Sequence, residues 1–233
     1  MAFLLTYPRS RVALDLQQRL ASTQPTVYCP CRVLQAMALT EKQQRLIQSS
    51  SDLILTSQFG LHVYLAHWAT LNLTATIHVL SQKMANQLRQ RVSNPIVVAA
   101  TESQQGFLSQ LLALGHDRQR CWLVGDRAKR LREFSLDVTV VIYENQWPIE
   151  NQQIAVQKLA GQHFSRVLIT SPSNFEGLRA VQQRLSATAF VNADYYVLGT
   201  TSATVVRQAR LPVIMPTEPH DVLRQMISRM CQD

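Results

Sequence analysis

The sequence predicts an α/β protein made of two doubly wound parallel-sheet domains, the second inserted in the first and joined to it by a two-strand hinge. Short apolar runs alternate with amphipathic segments along most of the chain, and such βα units require a parallel sheet with helices on both faces. The length of 233 residues exceeds one domain of usual size and suits two. The three strands predicted near the end of the chain need the two predicted near its start to complete a sheet of about five.

The first two predicted strands come before residue 34. The apolar run Phe3 to Thr6 predicts one strand, and Val27 to Cys31 predicts the other. Between them, Arg9 to Leu20 has apolar residues at helical spacing and predicts a helix. The pattern then becomes irregular until Leu39.

Helical and strand-like segments alternate regularly through the middle of the chain. The predicted helices are residues 41–48, 59–71, 83–91, 104–114 and 127–134, and the predicted strands are residues 53–56, 75–80, 96–99, 121–125 and 138–143. Each strand is followed by a helix or by the end of the series. This stretch therefore predicts one complete α/β domain over residues 39–142.

The segment Asn145-Gln146-Trp147-Pro148 interrupts the series, and a second one follows. Its predicted helices are residues 150–161, 174–185, 202–209 and a last one from about 220, and its predicted strands are residues 167–170, 195–198 and 213–215. We expect these elements to join residues 1–34, so that residues 1–34 and 148–233 form one discontinuous domain. The chain then crosses between the domains twice, near residues 32–38 and 142–148, and two crossings make a hinge.

The composition describes a globular chain with an excess of positive charge. The formal net charge is +8, but Lys and Arg are spread along the chain and no nucleic-acid-binding motif is present, so a basic cleft for a polyanionic small molecule explains the charge better than nucleic acid. Neither a signal peptide nor an apolar run of about 18 residues is found, which predicts a cytoplasmic protein with no membrane contact. The four cysteines lack zinc or redox spacing and are expected to be buried free thiols.

Several classes of enzyme have no support in the sequence. The glycine-rich loops of dinucleotide and nucleoside-triphosphate sites are absent, so we expect no NAD, FAD or ATP. Neither a G-x-S-x-G nor an H-E-x-x-H pattern occurs, and the six histidines show no ligand spacing. The sequence therefore predicts no metal site and no cofactor.

Three Thr/Ser clusters follow predicted strands: Thr56-Ser57-Gln58, Thr170-Ser171-Pro172-Ser173 and Thr200-Thr201-Ser202. Ligands of open α/β sheets bind beyond the carboxyl ends of the strands. Hydroxyls and free backbone N–H groups at a helix start favour anions, so these turns are candidate carboxylate or phosphate sites. The alternative for the last cluster is that Thr200 or Thr201 only caps the helix.

The same segments carry a resemblance to a known family. Leu198-Gly199-Thr200-Thr201-Ser202-Ala203 followed by Arg210-Leu211-Pro212-Val213 resembles the I-G-x-T-T-A…G-L-P-V signature of uroporphyrinogen-III synthases. The two strand-then-Thr-Ser turns at residues 53–58 and 167–173, the strand ending in Gly125-Asp126, and Val140-Val141-Ile142-Tyr143 are similar to further motifs of that family, in the same order. The resemblance covers nearly the whole chain.

The resemblance implies both a substrate and a reaction. The substrate is hydroxymethylbilane, a linear tetrapyrrole with acetate and propionate arms, which loses its hydroxyl as water, inverts ring D and closes to uroporphyrinogen III without a cofactor. Tyr143 matches the tyrosine of the family, and its phenol is the candidate acid for the departing hydroxyl. Packing or a hinge role is the alternative for a tyrosine at the end of a strand.

The resemblance also implies which residues bind the carboxylates. These are the hydroxyls and N–H groups at Ser57, Gln58, Thr170, Ser171, Ser173, Thr200, Thr201 and Ser202, with charge from Arg9, Arg127 and Lys129 at the rim. Surface solvation is the alternative for the three rim charges, and Arg130 is the alternative to Lys129 as the basic residue after Gly125. Two departures from the family pattern occur: Ser81 and Met84 replace a glycine and a threonine, and Arg210 stands where a helix-ending glycine is common.

A second class of function fits the same fold. A non-catalytic two-domain protein could use the same cleft to bind an anionic small molecule without converting it, and fold alone does not separate the two classes. We expect a monomer, with transient contact to the preceding enzyme of the pathway as its further partner.

Overall fold

The computed structural model describes residues 1–100, 104–113, 118–128, 137–218 and 220–232. The chain divides into two compact units. Unit 1 consists of Met1–Val33 and Gln146–Asp233, and unit 2 is the continuous stretch Leu34–Asn145. The crossings between the units therefore lie at residues 33–34 and 145–146.

Strands and helices alternate along most of the described residues. The strands are β1 (Ala2–Leu5), β2 (Thr26–Tyr28), β3 (Val33–Ala36), β4 (Asp52–Leu55), β5 (Thr76–Val79), β6 (Ile96–Val98), β7 (Arg120–Gly125), β8 (Val138–Gln146), β9 (Phe164–Ile169), β10 (Asp194–Val197) and β11 (Val213–Ile214). The α-helices are α1 (Leu14–Thr23), α2 (Glu41–Ser49), α3 (Gln58–Val63), α4 (Gln82–Arg89), α5 (Gln104–Leu112), α6 (Ile149–Leu159), α7 (Pro172–Gln182), α8 (Thr200–Gln208) and α9 (Val222–Met230). Short 3-10 turns cover Arg9–Arg11 and Ala187–Phe190, and a π-helical segment covers Tyr64–Trp68.

Unit 1 has a five-stranded parallel sheet in the order β11-β10-β9-β1-β2. Numbered within the unit, this order is 2-1-3-4-5, one of the two common doubly wound arrangements. The strand order reverses between β1 and β9, and such a switch point opens a crevice at the carboxyl ends of the strands. We call that end of each sheet its carboxyl edge.

Unit 2 has a six-stranded sheet in the order β3-β8-β7-β4-β5-β6, in which β8, β7, β4, β5 and β6 are parallel. Without β3, the order is 3-2-1-4-5, the beginning of the other common doubly wound arrangement. The switch point of unit 2 lies between β4 and β7. Both units therefore confirm the predicted α/β class with doubly wound parallel sheets.

The core of unit 1 lies on both faces of its sheet, because successive residues of a strand point to opposite sides. Leu4, Val167 and Tyr195 belong to one apolar cluster, whereas Phe3 and Leu5 belong to another. Strands buried on both faces account for the continuous apolar runs that predicted them.

The first predicted helix is wrong at its start. Residues Arg9–Arg11 form a 3-10 turn, and α1 begins only at Leu14, after an extended Val12. Pro8 fixes the backbone before the turn at φ −63° and ψ 132°, and the segment must extend again to bury Val12. The predicted helix 59–71 is observed as α3 followed by the π-helical segment.

The sequence did not predict β3. This strand is short, and its residues alternate between exposed and half-buried because it lies at the edge of the sheet beside β8. The amide of Met37, the residue after β3, donates to the Ile142 carbonyl of β8 at 3.0 Å. The chain thus leaves unit 1 in β3 and returns in β8, two neighbouring strands. The predicted helix 127–134 lies mostly outside the described residues.

Candidate functional site

The carboxyl edge of unit 2 is built around Ser57, which follows β4. Ser57 is the N-cap of α3, and its Oγ accepts a hydrogen bond from the amide of Gly60 at 2.9 Å. Serine favours this position because its oxygen satisfies an amide that the first turn of a helix leaves unpaired. Gln58, also predicted to bind substrate, is half-buried as the first residue of α3. These two residues therefore lie at the switch point.

Tyr143 of β8 reaches the same point. Its phenol donates a hydrogen bond to Ser57 Oγ at 3.0 Å, although the two residues are 86 positions apart in the chain. The ring of Phe59 meets the ring of Tyr143 edge-on, with centroids 5.1 Å apart and planes at 74°. The structure thus brings together the predicted acid and one predicted substrate-binding residue.

Two glycines provide the space for the Tyr143 ring. A Cβ at Gly125, the last residue of β7, would lie 2.5 Å from a ring carbon and 2.9 Å from the phenol oxygen. A Cβ at Gly60 would lie 2.8 Å from Ser57 Oγ and 3.4 Å from another ring carbon. A side chain at either position would therefore force the neighbouring atoms to move. The sequence pointed to Gly125 only as the end of a strand motif.

The turn after Gly125 ties β7 to β8. The amide of Asp126 donates to the Tyr143 carbonyl at 3.1 Å, and the Asp126 carboxylate accepts from the amide of Asn145 at 2.9 Å. Arg127, predicted at the rim, is exposed in this turn. Lys129, the other predicted rim charge of this unit, lies outside the described residues.

The carboxyl edge of unit 1 is organised around two threonines, one after each strand of the switch point. Thr6 follows β1 and donates its hydroxyl to the Leu168 carbonyl at 2.8 Å. Thr170 follows β9, donates its hydroxyl to the Thr6 carbonyl at 2.9 Å, and donates its amide to Thr6 Oγ1 at 3.2 Å. These reciprocal bonds hold the ends of β1 and β9 together. Thr170 was predicted as a ligand contact, whereas Thr6 was not.

Asn174, which the sequence analysis did not select, is the centre of this edge. It is buried, and its Oδ1 accepts the amide of Cys31 at 2.9 Å. Its Nδ2 donates to Thr170 Oγ1 at 2.9 Å and to Ser171 Oγ at 3.1 Å. Ser171 is the N-cap of α7 and also accepts the amide of Asn174 at 3.2 Å. The predicted residues Thr170 and Ser171 are therefore fixed by an amide side chain.

An arginine reaches this edge, but it is not the predicted one. Arg32 Nη1 donates to Ser173 Oγ at 3.4 Å, and Ser173 Oγ lies 3.2 Å from Ser171 Oγ. Arg9, the predicted rim charge of this unit, donates its Nε to Gln17 at 2.9 Å, and its guanidinium lies 6.0 Å from the centre of the Tyr28 ring. The position of Arg32 just after Cys31, the end of a predicted strand, was the signal that could have identified it.

The third predicted cluster begins α8. The N-cap of this helix is Gly199, and no side chain caps it, so the alternative that Thr200 or Thr201 is a helix cap is wrong. Both threonines are exposed, whereas Ser202 is only 3% exposed. Burial leaves the Ser202 hydroxyl little access to a ligand. The exposed threonines and the uncapped amides are the groups that this turn presents.

A second polar cluster of unit 2 lies at the opposite ends of the strands. Asp52, the first residue of β4, accepts hydrogen bonds from Arg118 Nε at 2.6 Å and from His78 Nε2 at 2.7 Å. Nearby, Asp137 accepts the indole N–H of Trp122 at 2.7 Å and lies 3.8 Å from the guanidinium of Arg120. This ionic cluster faces away from the carboxyl edge along the strands, so it does not belong to the candidate site.

Burial and hydrogen bonding shift the pKa values of three residues in this cluster. Burial disfavours the charge of Asp52, but the hydrogen bonds from Arg118 and His78 outweigh it and hold the pKa of Asp52 below its ordinary value. Burial also lowers the pKa of His78, against the effect of Asp52. The pKa of Asp137 is raised, chiefly by burial. His78 is therefore neutral and Asp52 ionised in the folded protein at neutral pH.

Within the ranges that the structure describes, no group of three or more His, Cys, Asp or Glu residues could hold a metal ion. The cysteines are free thiols, of which Cys29, Cys31 and Cys121 are buried and Cys231 is half-buried. Among the same residues, no helix combines the length and apolar character needed to span a bilayer. The chemical groups described at the two carboxyl edges are thus hydroxyls, a phenol, amides, guanidinium groups and the carboxylate of Asp126.

Comparisons with known proteins identify solved structures with a similar fold. No protein-family model matches the sequence, and no curated protein matches it either. The structure is similar to the crystal structure of uroporphyrinogen-III synthetase from Helicobacter pylori, with a TM-score of 0.64, 14% identity, and coverage of 98% of this chain and 99% of the other. It is also similar to a mutant uroporphyrinogen III synthase from Thermus thermophilus, with a TM-score of 0.60, 12% identity and full coverage of both chains. The resemblance seen in the sequence is therefore confirmed at the level of the fold: the chain has the fold of the uroporphyrinogen-III synthases.

Proposed function

We propose that this protein is a uroporphyrinogen-III synthase, which closes hydroxymethylbilane to uroporphyrinogen III with loss of water and inversion of ring D. The observation that carries the proposal is the hydrogen bond between the Tyr143 phenol and Ser57 Oγ at the switch point of unit 2. A phenol is the right kind of group to assist a hydroxyl that must leave as water, because its ordinary pKa of about 10 makes it more acidic than serine or threonine.

The carboxyl edge of unit 1 carries groups that suit a substrate with many carboxylates. Unit 1 offers the hydroxyls of Ser171 and Ser173 with the guanidinium of Arg32, and the start of α8 adds Thr200, Thr201 and uncapped amides. Hydroxyls, amides at helix starts and arginine are the usual partners of carboxylates. The formal net charge of +8 favours the approach of such a substrate.

The decisive experiment measures the isomer of the product. Hydroxymethylbilane closes spontaneously to the type I isomer, so the purified protein should accelerate its consumption and direct it to the type III isomer. The two isomers are separated after oxidation to porphyrins, and a reaction without protein gives the spontaneous rate. Slower consumption with no type III product would instead identify a non-catalytic binding protein for an anionic small molecule.

A further inference from the structure

The hydrogen bonds of Ser57 define what its hydroxyl can still do. A hydroxyl oxygen has two lone pairs and one proton. Ser57 Oγ accepts the amide of Gly60 at 2.9 Å and the phenol of Tyr143 at 3.0 Å, so both lone pairs are occupied. The proton of Ser57 is left as the group with which this residue can contact a ligand. Ser57 is therefore a hydrogen-bond donor toward the carboxyl edge.

The same geometry limits Tyr143. Its phenol proton is directed at Ser57, and its ring is confined by the edge-on contact with Phe59 and by the close approach to Gly125 and Gly60. The hydrogen bond to Ser57 gives this proton a path to the carboxyl edge that needs no movement of the ring.

We propose that Ser57 is the residue that passes a proton to the departing hydroxyl, and that Tyr143 is the source of that proton, acting through Ser57. This inference rests on the proposed function and names the donor of that reaction. Serine alone is a poor acid, but a hydroxyl that accepts a hydrogen bond from a phenol becomes a stronger donor. The negative charge then ends on the phenol, whose ordinary pKa is about 10, rather than on serine.

The atoms and electrons of the step balance. The bond between carbon and the hydroxyl oxygen of the substrate breaks, and both of its electrons leave with the oxygen. That oxygen takes the proton of Ser57, and Ser57 Oγ takes the proton of Tyr143, which gives water, a phenolate at Tyr143 and a cation delocalised over the pyrrole ring. Ring closure then releases one proton from the carbon framework, and this proton restores the phenol.

A set of variants tests this relay in the full chain with hydroxymethylbilane. Ser57→Ala and Tyr143→Phe should each lower kcat by about 10- to 100-fold, the low end of what a positioned acid contributes. The double variant should be hardly slower than the slower single variant, because both changes interrupt one relay. Ser57→Thr keeps the hydroxyl and the helix cap and should keep kcat close to that of the wild type. In each slow variant KM should change less than kcat.

Thr40→Ala is the matched control for the loss of a helix cap. Thr40 caps α2 of the same unit by accepting the amide of Gln43 at 3.3 Å, and its removal should lower thermal stability but leave kcat unchanged. Wild-type kcat in Ser57→Ala, or single losses that multiply in the double variant, would overturn the relay while the synthase activity stands. If the wild-type chain gives no type III product, the proposed function fails and the relay fails with it.

Discussion

The two units present the same kind of edge but use it differently. At the edge of unit 1, Thr6, Thr170 and Ser171 are bonded to the backbone and to Asn174, so the network holds its own members in place. At the edge of unit 2, a phenol donates to Ser57, whose own proton faces no acceptor of this network. Similar Thr-Ser turns in the sequence thus lead to a self-supporting hydrogen-bond network in one unit and, in the proposed relay, to a proton donor in the other.

The two sheets also differ in the residues that their faces bury. Both faces of the unit 1 sheet carry apolar clusters. In unit 2 one face is apolar, whereas the other combines a small apolar cluster around Ile54 and Trp122 with the ionic cluster of Asp52, His78 and Arg120. The two sheets therefore tolerate different amounts of buried charge. Acid should accordingly destabilise unit 2 before it destabilises unit 1.

The largest effect should come from filling the space beside Tyr143. Gly125→Ala places a methyl group where the ring now lies 2.5 Å from the ideal Cβ position, so the ring must shift and its bond to Ser57 is lost. We expect kcat to fall by about 10- to 100-fold and the free energy of unfolding to fall by about 1–3 kcal/mol. Turnover and denaturant unfolding measure the two effects. In a Tyr143→Ala background the same change should cost little stability, and an equal cost there would show that the ring is not the obstacle.

The network of unit 1 should be broken by Asn174→Ala. The change leaves the buried amide of Cys31 without its acceptor and frees Thr170 and Ser171, which should lower the free energy of unfolding by about 2–4 kcal/mol. Because the proposed function assigns carboxylate binding to this edge, KM should rise more than kcat falls.

Asn94→Ala is the control for this variant. Asn94 is also buried and donates to the carbonyls of Asn72 and Ala75 in unit 2, at 3.1 and 2.8 Å. It should cost comparable stability with no change in KM. A KM unaffected by Asn174→Ala would assign the network a structural role only.

Acidification should lower the stability of unit 2 more than that of unit 1. The pKa values of Asp52 and His78 are both lowered by folding, so the unfolded chain binds more protons and stability falls as the pH falls. The loss should begin below about pH 6.5 for His78 and below about pH 4 for Asp52, their ordinary pKa values. The raised pKa of Asp137 acts in the opposite direction above its ordinary value. Urea midpoints measured between about pH 7 and pH 2.5 follow the net effect.

Asp52→Asn should remove the part of this dependence that lies below about pH 4, since the carboxylate that is protonated there is no longer present. Asp15→Asn is the matched change in unit 1, where Asp15 is exposed and paired with Arg224. It should alter the pH dependence little, because solvent weakens exposed pairs. Equal slopes for wild type and Asp52→Asn would exclude the ionic cluster as the acid-sensitive part.

The smallest effect is a gain in stability at the end of α8. Arg210 has φ 57°, its amide donates to the Arg207 carbonyl at 2.8 Å, and the amide of Leu211 donates to the Val206 carbonyl at 3.4 Å. This is the helix ending that favours glycine, so Arg210→Gly should stabilise the protein by about 1 kcal/mol. Asn192→Gly, at φ 62°, should gain less because asparagine tolerates this conformation. Thermal unfolding compares the two.

The fold was predictable where burial dictated the sequence. Strands such as β4 and β9 are covered on both faces, so their residues 53–55 and 167–169 are all apolar and stand out without a structure. The edge strand β3 has no such requirement, and its sequence Val-Leu-Gln-Ala carries no comparable signal. The start of α1 was misplaced because helical spacing does not reveal that residues 12 and 13 are extended.

The candidate site was predictable only in part. Helix starts with Ser or Thr mark the carboxyl edges, because capping and ligand binding use the same groups. The pairing of Ser57 with Tyr143 depends on the order of strands in the sheet, which no local pattern contains. Asn174 and Arg32 were missed for the same reason, since their partners come from other segments of the chain.

The switch point of unit 1 has a consequence for the order in which the chain folds during synthesis. The hydrogen bond from the Thr6 hydroxyl to the Leu168 carbonyl joins residues 162 positions apart, and β1 lies between β2 and β9. Unit 2 is one continuous stretch that ends at Asn145, so all of its strands are synthesised before β9 is made. Because domains fold as units during synthesis, the middle of the polypeptide should fold first, while β1 waits for its second neighbour.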